Sequence, residues 1–145
     1  NVFAVATSQP EVGIDANTEG GYKLYITGGN VVAIGGFESG ASISGGTAKS
    51  ASYSKGTWYG LYNGSTLAFA FKVPSNSSMG SSMAVYTTST PALKSGVTGS
   101  GTSFWNNYGY TSASGGSDVT LSTYSSSGGG GGQPGGGGQP GGGGR

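Results

Sequence analysis

The sequence predicts an all-β protein in which short parallel coils lead into a small antiparallel unit and then an irregular Gly-rich tail. Only 8% of the 145 residues are charged and 33 are Gly, a composition typical of strands joined by many turns. Apolar runs are no longer than a strand, and helical periodicity is missing. The first residues, NVFAVA, are repeated as NVVAIG at an offset of 29 residues.

Residues 1–46 carry this repeat. The offset places Val2 on Val31 and Ile14 on Ile43. Short apolar runs at this period, separated by Gly-rich turns, are typical of a solenoid in which each coil covers the next. The alternative is a chance likeness between two strands of a sandwich. Because the chain begins inside its own repeat, we also expect it to be the C-terminal part of a longer protein.

Residues 47–124 have the pattern of an antiparallel unit of five or six strands, which caps the solenoid or packs beside it. Asn63-Gly64 is the dipeptide preferred in type I′ hairpins, where both central residues need a positive φ. Alternation from Leu67 to Val73 predicts a strand that Pro74 ends. Further strands are predicted at 83–87, 101–105 and 118–122.

Residues 125–145 form a low-complexity tail that contains 13 of the Gly residues. Such a sequence is ordinarily a flexible spacer. The alternative is a docking peptide held by an outer-membrane, export or assembly protein. The residues that would dock are Gln133, Pro134, Gln139 and Pro140.

Composition also excludes several kinds of function. The net charge is +1 with no basic stripe, so nucleic acid is not an expected partner. No apolar run is long enough to span a membrane. Without His or Cys, the chain cannot build a Ser-His-Asp triad, a Cys-His pair or a His-ligated zinc site. Low charge with abundant Ser, Thr, Gly and Tyr favours a secreted or cell-surface protein.

The stretch EVGIDANTEGGYKLYITGGNVVAIGG, residues 11–36, resembles the coils of a bacterial family of carbohydrate-binding surface proteins. The resemblance implies a right-handed parallel β-helix that binds polygalacturonate and calcium. Residues 94–98 and 108–111, with the Gly-rich end, look like the C-terminal part of such proteins in gut Bacteroidota. Ser44 stands where the repeat would place a second Asp15, so a ladder of calcium sites is not expected.

One acidic corner is a candidate calcium site. Asp15 and Asn17 lie between Glu11 and Glu19, which places three of the five acids within nine residues. Oxygen ligands of this kind suit Ca²⁺. In the alternative interpretation, Asp15 and Asn17 bond to backbone N–H groups of a tight turn. The predicted metal ligands are Asp15, Asn17 and Glu11.

No enzymatic activity is predicted. A glycosidase needs two carboxylates that flank a sugar cleft, and Glu38 and Asp118 are isolated in the sequence. Parallel β-helices often carry polysaccharide lyases, whose base is a Lys or Arg. Lys23, near the acidic corner, is the only plausible base, and likeness of fold is weak support for a reaction.

Aromatic residues favour sugar binding, because sugar rings stack on Trp and Tyr. One cluster comprises Trp58, Tyr59 and Tyr62; the other comprises Phe104, Trp105, Tyr108 and Tyr110. Asn106 and Asn107 would add hydrogen bonds beside Trp105, and Trp105–Tyr108 is the best predicted exposed platform. The alternative is that aromatics fill the core, as we expect for Phe69 and Phe71. The predicted sugar-binding residues are Trp58, Tyr59, Trp105, Asn106, Asn107 and Tyr108.

The sequence therefore predicts a non-catalytic, secreted or surface protein that binds an acidic, calcium-bridged polysaccharide. The alternative is a structural or interaction protein, such as an adhesin, filament subunit or export cargo, whose tail docks into a partner.

Overall fold

A computed structural model describes residues 1–125, which form an all-β fold. The strands are β1 Val2–Val5, β2 Tyr25–Ile26, β3 Val31–Ile34, β4 Ser42–Ile43, β5 Thr47–Ser52, β6 Trp58–Asn63, β7 Thr66–Lys72, β8 Ser82–Thr87, β9 Pro91–Ser95, β10 Thr98–Phe104, β11 Gly109–Ser114, β12 Ser117–Asp118 and β13 Ser122–Thr123. Within these 125 residues, one 3-10 turn is found, at Thr18–Gly20. Within residues 1–125, no helix is long and apolar enough to cross a bilayer.

Two sheets pack around the main core. Sheet I has the strand order β1-β3-β8-β5-β13 and is mixed, whereas sheet II has the order β10-β11-β7-β6-β9-β12 and is antiparallel. Strands β5, β8 and β13 of the predicted antiparallel unit thus share a sheet with β1 and β3. The core between the sheets includes Val32, Ile34, Met83, Val85, Tyr59, Leu61, Phe69, Phe71, Val73 and Leu93. The expectation that Phe69 and Phe71 are core residues is confirmed.

The 29-residue repeat corresponds to a pair of parallel strands. β1 lies beside β3, and Val2 pairs with Val31 as the sequence alignment predicts. At the start of the two strands, Asn30 Nδ2 donates a hydrogen bond to Asn1 Oδ1 at 2.9 Å. The likeness between the two segments therefore reflects a shared position in adjacent strands.

Beyond this pair the repeat loses its register. The predicted alignment of Ile14 with Ile43 is wrong: Ile14 forms a parallel bridge with Phe37, and Ile43 pairs with Ile26. The offset falls from 29 residues at Val2 to 17 at Tyr25. A shorter second layer follows because the chain turns immediately after β3, where two consecutive Gly residues take positive φ.

Residues 1–46 thus form two stacked parallel layers. The second core cluster lies on the opposite side of sheet I from the main core, and it includes Ile26, Val31, Phe37 and Tyr86. On the other side of β3, the neighbouring strand β8 is antiparallel. The sheets are not a solenoid, and a right-handed parallel β-helix is not shown.

The predicted β6–β7 hairpin is present, but its turn is not type I′. Asn63 pairs with Thr66, and φ is positive at Gly64 but not at Asn63. The Asn63 side chain accepts the Ser89 N–H and donates to the Thr88 hydroxyl. These bonds hold Asn63 as the last residue of β6, so the turn centre moves to Gly64 and Ser65.

The predicted strand at 118–122 is split between the two sheets. β12 pairs with β9 of sheet II, whereas β13 pairs with β5 of sheet I. Between them, Val119 and Leu121 pack against the main core. The chain crosses from one sheet to the other at this edge because both apolar side chains find contacts there.

Tyr53, which is buried, and Tyr124, which is half-buried, predict a loss of stability in alkali. Burial raises the pKa of Tyr53 and Tyr124 above the ordinary value of 10.0. Above pH 10 the unfolded chain loses phenol protons that the folded chain keeps, so the free energy of unfolding falls. The Tyr53 hydroxyl donates to Gly80 O at 2.6 Å, whereas the buried Tyr124 hydroxyl has no partner among residues 1–125.

We expect Tyr53→Phe to lower the free energy of unfolding by about 1 kcal/mol at pH 7. Tyr124→Phe should leave it unchanged or raise it, and each variant should lose less stability than the wild type above pH 10. Urea titration on both sides of pH 10 measures these effects, with the exposed Tyr22→Phe as control. If neither Tyr53→Phe nor Tyr124→Phe reduces the loss of stability above pH 10, these two tyrosines are not its cause.

Candidate carbohydrate-binding face

The outer surface of sheet II carries a row of aromatic and basic side chains. Tyr59 and Phe71 point into the main core. Side chains alternate along a strand, so their neighbours Trp58 and Lys72 point outward. Gly109 is buried against the core, which places Tyr110 on the outer surface too. We call the surface around Trp58, Lys72 and Tyr110 the outer face.

The rings on this face lie close together. The centroids of Trp58 and Tyr110 are 5.4 Å apart, with the ring planes inclined at 45°. Trp58 lies directly across from Lys72, whose Nζ is 5.8 Å from the centroid of the Tyr108 ring. All four side chains are half-buried, so each is fixed by packing and still reaches solvent.

Glycine allows the rings to lie against the backbone. A Cβ at Gly99 would come within 2.5 Å of the Tyr110 ring, so only Gly fits beneath it. At Gly60, a Cβ would lie 3.2 Å from Tyr62 and 3.3 Å from Leu67. Leu67 therefore lies on the outer side, whereas the alternation predicted from Leu67 to Val73 places it on the same side as Phe69. The irregular register between Leu61 and Tyr62 produces this change of side.

The outer face has more basic than acidic groups. Lys94 follows the core residue Leu93 and lies across from Gly60, so it joins Lys72 on this face. Its Nζ is 3.4 Å from an Asp118 carboxylate oxygen, and the Asp118 side chain is 89% exposed. An ion pair this exposed contributes little to stability, and an anionic ligand can compete with it.

Trp105 does not form the predicted exposed platform. Its ring is half-buried and contacts Phe104, Phe69 and Phe3, with centroids 4.4, 5.1 and 5.5 Å away. Trp105 is also the first of three consecutive residues with positive φ, before Asn106 and Asn107. This left-handed turn directs the indole into the core, so Trp105 is a packing residue.

Of the other predicted sugar-binding residues in this region, some are exposed and one is buried. Asn106 and Asn107 are exposed in the β10–β11 turn, next to Tyr108 on the outer face. Tyr59 is 3% exposed, stacks on Phe71, and accepts the Ser54 N–H with its hydroxyl. Tyr59 therefore cannot stack on a ligand in this fold.

The acidic corner has the geometry of a turn. Asp15 Oδ1 accepts the Asn17 N–H at 2.9 Å, and Asn17 has a φ of 51°. Glu11 lines a cleft of about 280 Å³ whose lining includes neither Asp15 nor Asn17. Within residues 1–125, no three Asp or Glu side chains lie together as a metal site. Calcium binding by these three residues stays a prediction.

Asp15→Ala distinguishes a turn residue from a calcium ligand. Loss of the bond to Asn17 should lower the free energy of unfolding by about 0.5–1 kcal/mol, equally in calcium and in EDTA. Asp15→Asn keeps an acceptor oxygen and should retain most of the stability. Thermal unfolding in both buffers gives the comparison. A loss found only in calcium would instead identify Asp15 as a ligand.

No family model, curated protein or solved structure matches this chain. The predicted docking residues of the tail lie outside the described residues: they are Gln133, Pro134, Gln139 and Pro140. The geometry of the outer face is therefore the main guide to function.

Proposed function

We propose that the outer face of sheet II binds a polysaccharide without cleaving it, as part of a secreted or cell-surface protein. The observation that carries the proposal is the Trp58–Tyr110 ring pair, with Lys72 beside it, on a half-exposed sheet surface. Sugar rings present apolar C–H groups that stack on aromatic faces, while their hydroxyls stay in water. Asn106 and Asn107 add amide donors and acceptors at one end of the face.

An acidic glycan fits this face better than a neutral one. Lys72 and Lys94 offer ammonium groups to sugar carboxylates, and a bond between two charged groups is about twice as strong as a neutral one. The resemblance of residues 11–36 to polygalacturonate-binding proteins agrees with this preference. Calcium would act by bridging carboxylates of neighbouring glycan chains.

A binding role accounts for this surface better than hydrolysis does. Asp118 is the acidic side chain paired with Lys94 here, and the other four acids lie within residues 11–38. Glycoside hydrolysis ordinarily needs two carboxylates that flank one bond. Lys23, the only plausible base for a lyase, is exposed between the 3-10 turn Thr18–Gly20 and β2, outside sheet II.

The test is retardation of the chain in gels that contain polygalacturonate, with a neutral glucan as control and with calcium or EDTA. We expect retardation on polygalacturonate, and a decrease of about tenfold in affinity for Lys72→Gln, the loss of one charge-assisted bond. Lys23→Gln removes the same charge outside the face and should bind like the wild type. If no polysaccharide retards the wild type, the proposed function is wrong.

A further inference from the structure

In the part of the chain that the structure describes, one side of the parallel layers has no neighbouring strand. On their other side, the residues of the first layer pair with the second layer: β1 with β3, Ile14 with Phe37, and β2 with β4. No strand among residues 1–125 pairs with β1, Ile14 or β2 on the side that faces away from the second layer. We call residues 1–26 the open layer.

Backbone groups of β1 are directed out of the open layer. The N–H groups of Val2 and Ala6 donate to Asn30 O and Ile34 O, both at 2.9 Å. Backbone groups alternate in direction along a strand, so the N–H and C=O of Phe3 and Val5 point away from β3. These four groups can bond to an additional strand.

Exposed apolar side chains lie on the same layer. Among residues 1–125, the large hydrophobic side chains that are exposed are Val2, Tyr22 and Tyr25, at 46%, 68% and 65%. All three belong to the open layer, whereas the larger remainder of the described chain contributes none. An additional coil lying along the open layer would cover side chains of this kind and remove their apolar surface from water.

The edge of β1 also lacks the devices that block pairing. Proteins protect exposed edges with charges, Pro, bulges or very short strands. β12 and β13 have two residues each, and β10 has a register irregularity after Ser100. By contrast, β1 reads VFAV and pairs with β3 without a register shift. A regular apolar edge of this kind accepts a strand by β-augmentation.

We propose that the open layer binds a polypeptide coil of its own pattern, stacked in parallel and in register with β1. A further strand would repeat the β1–β3 pairing on the other side of β1. Such a coil must therefore contain the sequence pattern that β1 and β3 share: an Asn followed by two apolar residues, Ala and a β-branched residue. Asn1 accepts from Asn30 through Oδ1, which leaves its amide hydrogens for the next Asn. An apolar residue of the partner would cover Val2 as Val2 covers Val31.

The experiment adds a second copy of residues 1–29 directly before Asn1 of the full chain, so that the added strand has the observed 29-residue offset. Hydrogen exchange is measured at the Phe3 and Val5 amides. We expect exchange at least about tenfold slower than in the original chain, because both N–H groups gain acceptors. A Gly/Ser extension of equal length should leave both amides unprotected.

A second extended chain tests the pattern itself. Val2→Lys and Ala4→Lys in the added copy place charges at its apolar positions, and protection of Phe3 and Val5 should disappear. The Val85 amide, in the middle of sheet I, reports whether the fold is intact. Unchanged exchange at Phe3 and Val5 in the unmodified tandem chain overturns the proposal, as does equal protection by the Gly/Ser extension.

Discussion

Trp105→Ala is expected to lower the free energy of unfolding by about 2–4 kcal/mol, slightly below the range for a fully buried Trp. The indole contacts the rings of Phe3, Phe69 and Phe104, which belong to the three strands β1, β7 and β10. Phe69 lies in the main core, and the other two rings pack against it. Removal of the indole leaves a cavity between sheets I and II at the β10–β11 end. Urea unfolding followed by Tyr fluorescence measures the change.

Trp58→Ala is the matched control for this experiment, since it removes the other indole of the chain. Trp58 contacts Tyr110 on the outer face and has no place in the main core. We expect it to lower stability by less than Trp105→Ala does. Equal losses for the two variants would contradict the separation of a packing Trp from a surface Trp.

Trp58→Ala should have the largest effect on glycan binding. Loss of one stacking surface is expected to weaken affinity for polygalacturonate by about tenfold or more, which corresponds to at least about 1.4 kcal/mol. Tyr110→Ala should act in the same direction, because the two rings form one surface. Isothermal titration of the folded variants with oligogalacturonides gives the affinities.

Tyr22→Ala is the control for this second prediction. Tyr22 is 68% exposed and belongs to the open layer, away from sheet II. It removes an exposed aromatic ring of similar size, so its affinity should equal that of the wild type. An equal loss for Tyr22→Ala and Trp58→Ala would show that binding does not depend on the outer face.

The sequence could predict the β1–β3 pair because a repeat leaves a direct record of shared environment. Val2 and Val31 resemble each other since both occupy the same position in adjacent strands. The sequence could not predict β5, TAKSAS, or β9, PALKS, because apolar and polar residues do not alternate in either stretch. Their strand conformation is fixed by pairing with β8 and β6, and such long-range contacts outweigh weak local propensity.

The candidate site was only partly predictable for a related reason. Trp58 and Tyr59 are neighbours in sequence but point to opposite sides of sheet II. Assigning them requires knowing which side faces the core. Recognition of Phe69 and Phe71 as core residues sets this for β7 and directs Lys72 outward, but the partner of Lys72 depends on register. The indole of Trp105 points inward because three consecutive residues take positive φ, and no sequence motif predicts that conformation.

The most direct test of the proposed function uses the two Trp side chains of the protein. Each gives one indole N–H resonance in a ¹H–¹⁵N spectrum, and Trp105→Phe identifies which is which. On addition of an oligogalacturonide, we expect the Trp58 resonance to shift in a saturable manner and the Trp105 resonance to stay nearly unchanged. A saturable shift of Trp105 with Trp58 unaffected would contradict it, because the ligand would then lie away from the outer face.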